Sequence, residues 1–161
     1  MKVLSLLQPW ASLWVAGAKR IETRGFGTKY RGRIAVAASK RFGIDEKHLC
    51  STDRFAVALD EIGIKKLRDV PLGVILGWIT LTDCREMVSA PFGADDLMGT
   101  FAVASSNPAL TRNELAFGNY APGRFAWLTS TERFILAEPI PFKGSLGLRD
   151  LPADIAARLA P

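Results

Sequence analysis

The sequence predicts one α+β domain, residues 1–161, built on a mixed β-barrel with a few flanking helices. Three observations carry that expectation. Short runs rich in β-branched and aromatic residues outnumber the helical patterns, which favours a closed, mixed barrel over a parallel α/β sheet. The run Val74-Ile75-Leu76-Gly77-Trp78-Ile79-Thr80-Leu81-Thr82 reads as a central strand. At 161 residues, 48% hydrophobic and 23% charged, the chain has apolar material for one ordinary core, and a second domain is not expected.

Taken in order, Pro9-Trp10-Ala11-Ser12-Leu13-Trp14-Val15-Ala16 reads as a short helix. Pro9 suits its first position, Trp10, Leu13 and Trp14 fall at i, i+3 and i+4, and Gly17 supplies the left-handed residue that ends it. Residues 20–24 alternate as a strand does, with Arg20, Glu22 and Arg24 on one face and Ile21 and Thr23 on the other. Residues 33–37 form a strand leaving the Tyr30-Arg31-Gly32 turn, with Ser39-Lys40-Arg41 as its polar end. Residues 45–62 are helical, with Asp45 near the start and Gly63 past the end.

Gly77 inside the central strand marks a bulge or the close approach of another segment. Residues 89–116, rich in Pro, Gly, Ser, Asn and Asp, read as a long insertion or mobile flap. Residues 125–129 and 133–136 read as two strands joined by Ser130-Thr131-Glu132, and Pro139 and Pro141 break the chain beyond residue 136. Residues 144–148 make a last short strand and residues 154–159 a small terminal helix introduced by Pro152.

Composition excludes several function classes. The longest apolar-rich stretch, residues 73–81, is about half of a membrane span, so no membrane partner is expected. Gln8-Pro9 interrupts the apolar run behind Lys2 before any cleavage-like site, which argues against a signal peptide and for the cytoplasm. Cys50 and Cys84 lie far apart and His48 is the one histidine, too few ligands for a zinc site or a disulfide framework. No metal and no cofactor are expected.

The formal charge is +5, and its location matters more than its size. Between residues 17 and 41 Lys19, Arg20, Arg24, Lys29, Arg31, Arg33, Lys40 and Arg41 face the single acid Glu22, so that stretch carries +7 and the remainder −2. Such a patch concentrates polyanions and gives salt-sensitive binding; the alternative is a solvated face that keeps the protein soluble.

Within the basic stretch, Gly17-x-Lys19-x-x-Glu22-x-Arg24 puts three ionic side chains close enough to converge on one pocket. Preceded by Leu4-Ser5-Leu6-Leu7-Gln8-Pro9-Trp10-Ala11-Ser12-Leu13 and followed by Thr28-Lys29-Tyr30-Arg31-Gly32, this pattern resembles the ASCH domain, a family named for homology to a transcription coactivator. The resemblance continues through residues 77–84, through Tyr120-Ala121-Pro122-Gly123-Arg124-Phe125-Ala126-Trp127, and to Lys143-Gly144-Ser145-Leu146-Gly147-Leu148. It implies a PUA-like β-barrel, a cleft lined by the motif, and RNA, another nucleic acid or a nucleotide-like ligand as partner. A few members are enzymes, either nucleases or amidohydrolases acting on a modified nucleoside.

The chain departs from the family in two places. Many relatives carry a histidine on the strand that here reads Val36-Ala37-Ala38, and the amidohydrolase members have threonine where this chain has Glu22, with a separate carboxylate completing their set. Asp83 and Glu86 are extra carboxylates near a strand end, explained equally well by a solvated turn. A metal-dependent nuclease needs clustered acids, and the basic stretch holds one.

Chemistry assigns the site residues. A flexible ammonium at a cleft mouth suits phosphate, and a desolvated amine suits a base or nucleophile, which makes Lys19 the first choice. Glu22 organises the arginines beside it, and Arg24 either forks onto phosphate or clamps Glu22. For an enzyme, Lys19 and Glu22 are the catalytic pair. Nucleic acid would meet Lys19, Arg20, Arg24, Lys29, Tyr30, Arg31, Lys40, Arg41 and Arg124, with Tyr30 offering a stacking ring or a core contact. The resemblance, not their chemistry, places Trp10, Trp127, Tyr120 and Arg124 beside the cleft, with the core as the alternative for both tryptophans; Ser12, Thr28 and Ser39 are further cleft-lining candidates, their hydroxyls serving a ligand or a local backbone group. A nucleic-acid binder is expected first; a ribonuclease or modified-nucleoside hydrolase on the same cleft and a protein-interaction adaptor are the alternatives.

Overall fold

The computed structural model describes residues 1–87 and 111–159. Along the chain run β1 (Lys2–Leu6), α1 (Trp10–Ala16), β2 (Ile21–Arg24), β3 (Gly32–Ala38), α2 (Ile44–Cys50), α3 (Asp53–Glu61), β4 (Val74–Glu86), α4 (Arg112–Phe117), β5 (Phe125–Pro141), β6 (Leu148–Asp150) and α5 (Ala153–Arg158). The strands form one six-stranded sheet in the order β2-β5-β4-β3-β1-β6, with β1 and β3 parallel and every other pair antiparallel. The α+β barrel architecture holds, as a curled half-barrel whose edges are β2 and β6.

Period-two alternation fills both faces of that sheet. Leu4, Leu6, Ile34, Val36 and Ala38 point to one side, where Ala11, Trp14 and Val15 of α1 cover them. Val3, Ala35, Ala37, Ile75 and Trp78 point to the other, closed by Ile140, Leu151 and Leu159. A third cluster, Leu13, Cys50, Phe55, Ala58, Leu59 and Phe117, packs α2, α3 and α4 on the outer side of α1. Helix α1 therefore touches apolar neighbours nearly all round, which is why Ala11 to Val15 are all buried.

Several elements differ from the sequence expectation. The helix at residues 45–62 is two helices, α2 and α3, because the Thr52 hydroxyl donates to the Leu49 carbonyl and interrupts the ladder. Residues 125–136 are not two strands: β5 runs unbroken through Ser130-Thr131-Glu132 because its long partner β4 accompanies it, the pairing shifting register three times. Pro139 and Pro141 do not end β5, since β2 pairs only with its residues 125–128 and leaves the far end as an edge where a missing N–H is tolerated. The last short strand is Leu148–Asp150 rather than residues 144–148, and Pro9 flanks α1 instead of starting it. Of the expected insertion at residues 89–116, residues 89–110 lie outside the described residues, and residues 112–116 belong to α4.

The bulge expected at Gly77 is present: its φ is 153°, and the β4–β5 register shifts between Ile75 and Gly77.

Candidate functional site

The motif is assembled by the end of α1. Gly17, at φ 84°, donates to the carbonyls of Leu13 and Trp14, and the Lys19 N–H returns to Leu13 as well, at 3.0 Å. That tight reversal tucks Lys19 beneath the start of β2. Its side chain is 0% exposed, its ammonium donating to the Ile21 carbonyl and lying 3.2 Å from Glu22 Oε2. Glu22 Oε1 lies 3.6 Å from the Arg24 guanidinium, which in turn sits 5.4 Å from the centre of the Phe26 ring. Ammonium, carboxylate and guanidinium thus form one chain of contacts.

Two expectations about this motif change. Lys19 is not at the mouth of a cleft, because the Gly17 turn directs it inward; Glu22 and Arg24 reach the open side. Glu22 is bracketed by Lys19 and Arg24 rather than by two arginines. Arg20 precedes the strand, is exposed, and contributes through its backbone: its N–H donates to Glu114 and its carbonyl accepts from the Thr129 hydroxyl at 2.9 Å.

Glu114 is the residue that sequence reasoning missed. It is buried, accepts from the backbone N–H groups of Arg20 and Ile21, and receives the Tyr120 hydroxyl at 3.2 Å, so α4 fastens the leading end of β2. Burial, with the carboxylates of Glu114 and then Glu22 nearby, pushes the Tyr120 phenol well above its ordinary range, which keeps it a donor. The available signal was Thr111-x-x-Glu114, the spacing of a capping box. Thr111 does cap Glu114 N–H, at 3.1 Å, while the carboxylate turns to β2 instead of back to Thr111.

Two hollows adjoin the motif. One, of about 400 Å³, is lined by Trp10, Glu22, Thr23, Arg24, Asn119 and Arg124 over apolar Leu6, Leu7, Leu49 and Phe117. The other, of about 580 Å³, is lined by Ser5, Arg24, Ser39, Lys40, Arg41 and Lys143, with Gly144, Ser145 and Leu146. Leu6, Leu7 and Arg24 belong to both, so the hollows adjoin across these three side chains. Gln8, next in sequence to Leu7, is buried and fixed: its amide accepts from Ser12 N–H and donates to the Ser12 hydroxyl and the Pro71 carbonyl.

The sequence-predicted residues divide by placement. Trp10, Glu22, Arg24 and Arg124 meet in the first hollow; Arg24, Ser39, Lys40 and Arg41 meet in the second. Trp10 donates its indole N–H to Phe117, and Arg124 donates to the carbonyls of Thr23 and Asn119, which fixes both. Four expected cleft residues line neither hollow. Trp127 is fully buried in the core, and Ser12 is buried against Gln8. The Thr28 hydroxyl accepts from Tyr30 N–H, and Tyr120 packs beside Ile21, Met87, Ala126 and Leu128. Lys29, Tyr30 and Arg31 also lie outside both hollows: Tyr30 bonds the Arg33 carbonyl, and Arg31 pairs with Asp83 at 2.7 Å. Lys143 is a lining cation outside the sequence-predicted set, though it opens a stretch the family pattern includes.

Asp83 belongs to surface architecture, away from both hollows. Hydrogen bonds from Arg85, the Cys84 N–H and Arg31 hold its carboxyl below the usual range against a smaller opposing effect of burial. A depressed native value adds stability above the unfolded value near ~4 that is lost as pH falls through the native one. Asp83→Asn is expected to lower the melting temperature slightly at pH 7, and by a shrinking margin as acid is added; a margin that grows in acid would contradict this pairing. Among the described residues, no three of His, Cys, Asp and Glu gather as a metal ion would require.

A family model described as the ASCH domain matches residues 4–142. Over 83 residues, half of this chain, the sequence is 42% identical to mouse activating signal cointegrator 1 and 41% identical to the human protein of that name. The matched part is 14% of the length of those relatives.

Proposed function

The chain belongs to the ASCH domain family, and from that premise we propose that it binds RNA through the two joined hollows beside Glu22 and Arg24. One observation carries the reading: Arg24, Lys40, Arg41 and Lys143, contributed by distant parts of the sequence, line one concavity that includes the motif's Arg24, and among the described residues no carboxylate lines it with them. Cations gathered on one concave surface suit a phosphodiester backbone, whose binding releases condensed counterions.

Binding of a labelled RNA should therefore weaken linearly on a log-log plot as salt rises, with a slope of about −0.7 for each phosphate neutralised in a single strand. Lys40→Glu combined with Arg41→Glu should flatten that slope by roughly 1.4 or more and lower affinity at low salt. Binding that ignores both salt and the double reversal would sink the proposal.

The hydrolase alternative changes shape on this geometry. Glu22, which lines the hollow, is the group positioned to move a proton, while Lys19 lies behind it and acts by positioning Glu22.

A further inference from the structure

The two hollows differ in chemistry where they differ in lining. The Trp10 hollow combines an indole and apolar side chains with the Glu22 carboxylate, Arg24, Arg124 and Asn119; Arg24 is engaged by Glu22 and Arg124 by the carbonyls of Thr23 and Asn119, so the lining suits a planar heterocycle with polar edges better than a bare phosphate. Its volume, about 400 Å³, lies at the lower end of small-ligand sites, room for a nucleoside and not for a duplex.

The second hollow shares Leu6, Leu7 and Arg24 and adds Leu146, and among the described residues its other charged groups are all cations. Lys40, Arg41 and Lys143 surround it with the hydroxyl-bearing Ser39 and Ser145. Lys40 is held there by packing: a Cβ built on Gly73 would lie 2.5 Å from Lys40 Cγ, so the lysine stem lies directly over that glycine. Arg41 is partly balanced by Glu46, at 3.7 Å, which leaves Lys40 and Lys143 as the stronger phosphate partners. At the junction stands Arg24, steadied by Glu22 on one side and Phe26 on the other.

We infer that the hollows divide one nucleotide and its neighbours between them: a base turned out of its strand enters the Trp10 hollow, and the flanking phosphates run along Lys40, Arg41 and Lys143. The protein then selects single-stranded RNA over duplex, because a paired base must first be opened and unstacked to enter. This rests on the RNA-binding reading above.

The test compares a short labelled single strand, the same strand in a duplex, and single strands carrying one abasic site at each position in turn, all by fluorescence anisotropy at low salt. The single strand should bind on the order of tenfold or more tighter than the duplex, and one abasic position should lower affinity by about tenfold to a hundredfold. Trp10→Ala should erase that abasic sensitivity; the abasic ligands themselves leave the protein intact, so the result does not depend on the variant folding well. Duplex bound as tightly as single strand, or no penalty at any abasic position, overturns this inference and leaves RNA binding standing. Absence of any RNA binding overturns both.

Discussion

Replacing Glu22 with glutamine is expected to lower the melting temperature by roughly 6–20 °C, from a loss of about 3–5 kcal/mol and about 2–4 °C per kcal/mol for a domain of this size. The reason is what remains. Lys19 is fully enclosed, and in this variant its ammonium is left, among the described residues, with the Ile21 carbonyl and a neutral amide oxygen but no counter-charge. Lys19→Met should be milder, because Glu22 retains Arg24 and lines the cleft. The double variant Lys19→Met with Glu22→Gln should recover most of the loss, since a buried pair is replaced by groups that need no counter-charge. Simple additivity of the two single losses would show that Lys19 and Glu22 are not coupled. The same cycle separates stability from recognition, because freeing Arg24 from Glu22 should also loosen the junction between the hollows.

How much of this site the sequence discloses depends on how far apart its partners lie. Trp10 to Gly17 is legible because helix periodicity and a left-handed glycine are local signals, and the alternation of Glu22 with Arg24 is local too. Gly77 is legible because a lone glycine within a β-branched run points to a bulge or a close backbone approach. The inward turn of Lys19 is not, since it depends on where the Gly17 reversal meets β2. Glu114 reaches Arg20 across 94 residues, and Lys143 joins Lys40 only because the end of β5 pairs with the start of β4 beside β3. Alternation on β5 breaks into two apparent strands because its bulges shift the pattern, so a continuous strand reads as two. Trp127 and Ser12 mislead in the opposite sense: their chemistry suits a ligand, while the core and Gln8 have already taken them.

Gly77→Ala is expected to destabilise the domain by about 4 kcal/mol or more, the range reached only by a specific structural fault. A Cβ at Gly77 would stand 1.9 Å from the Phe134 carbonyl oxygen and 2.9 Å from its carbon, and these are backbone atoms that cannot rotate away. Relief requires β5 to withdraw from β4, which would also pull Phe134 from its stacked contact with Trp78. Gly63→Ala supplies the control: Gly63 has φ 86° but open space where the methyl would go, so it should lose only the conformational strain, about 1–2 kcal/mol. Urea denaturation of both variants distinguishes the causes, and equal losses would show that strain alone, not the Phe134 contact, demands glycine at position 77. The consequence reaches the site by way of β5. Its first residues pair with β4 on one side and with β2 on the other, Trp127 opposite both Cys84 and Glu22. A β5 displaced at Phe134 therefore loosens the strand that carries Glu22 and Arg24, and RNA affinity should fall in Gly77→Ala although the substituted residue lines neither hollow.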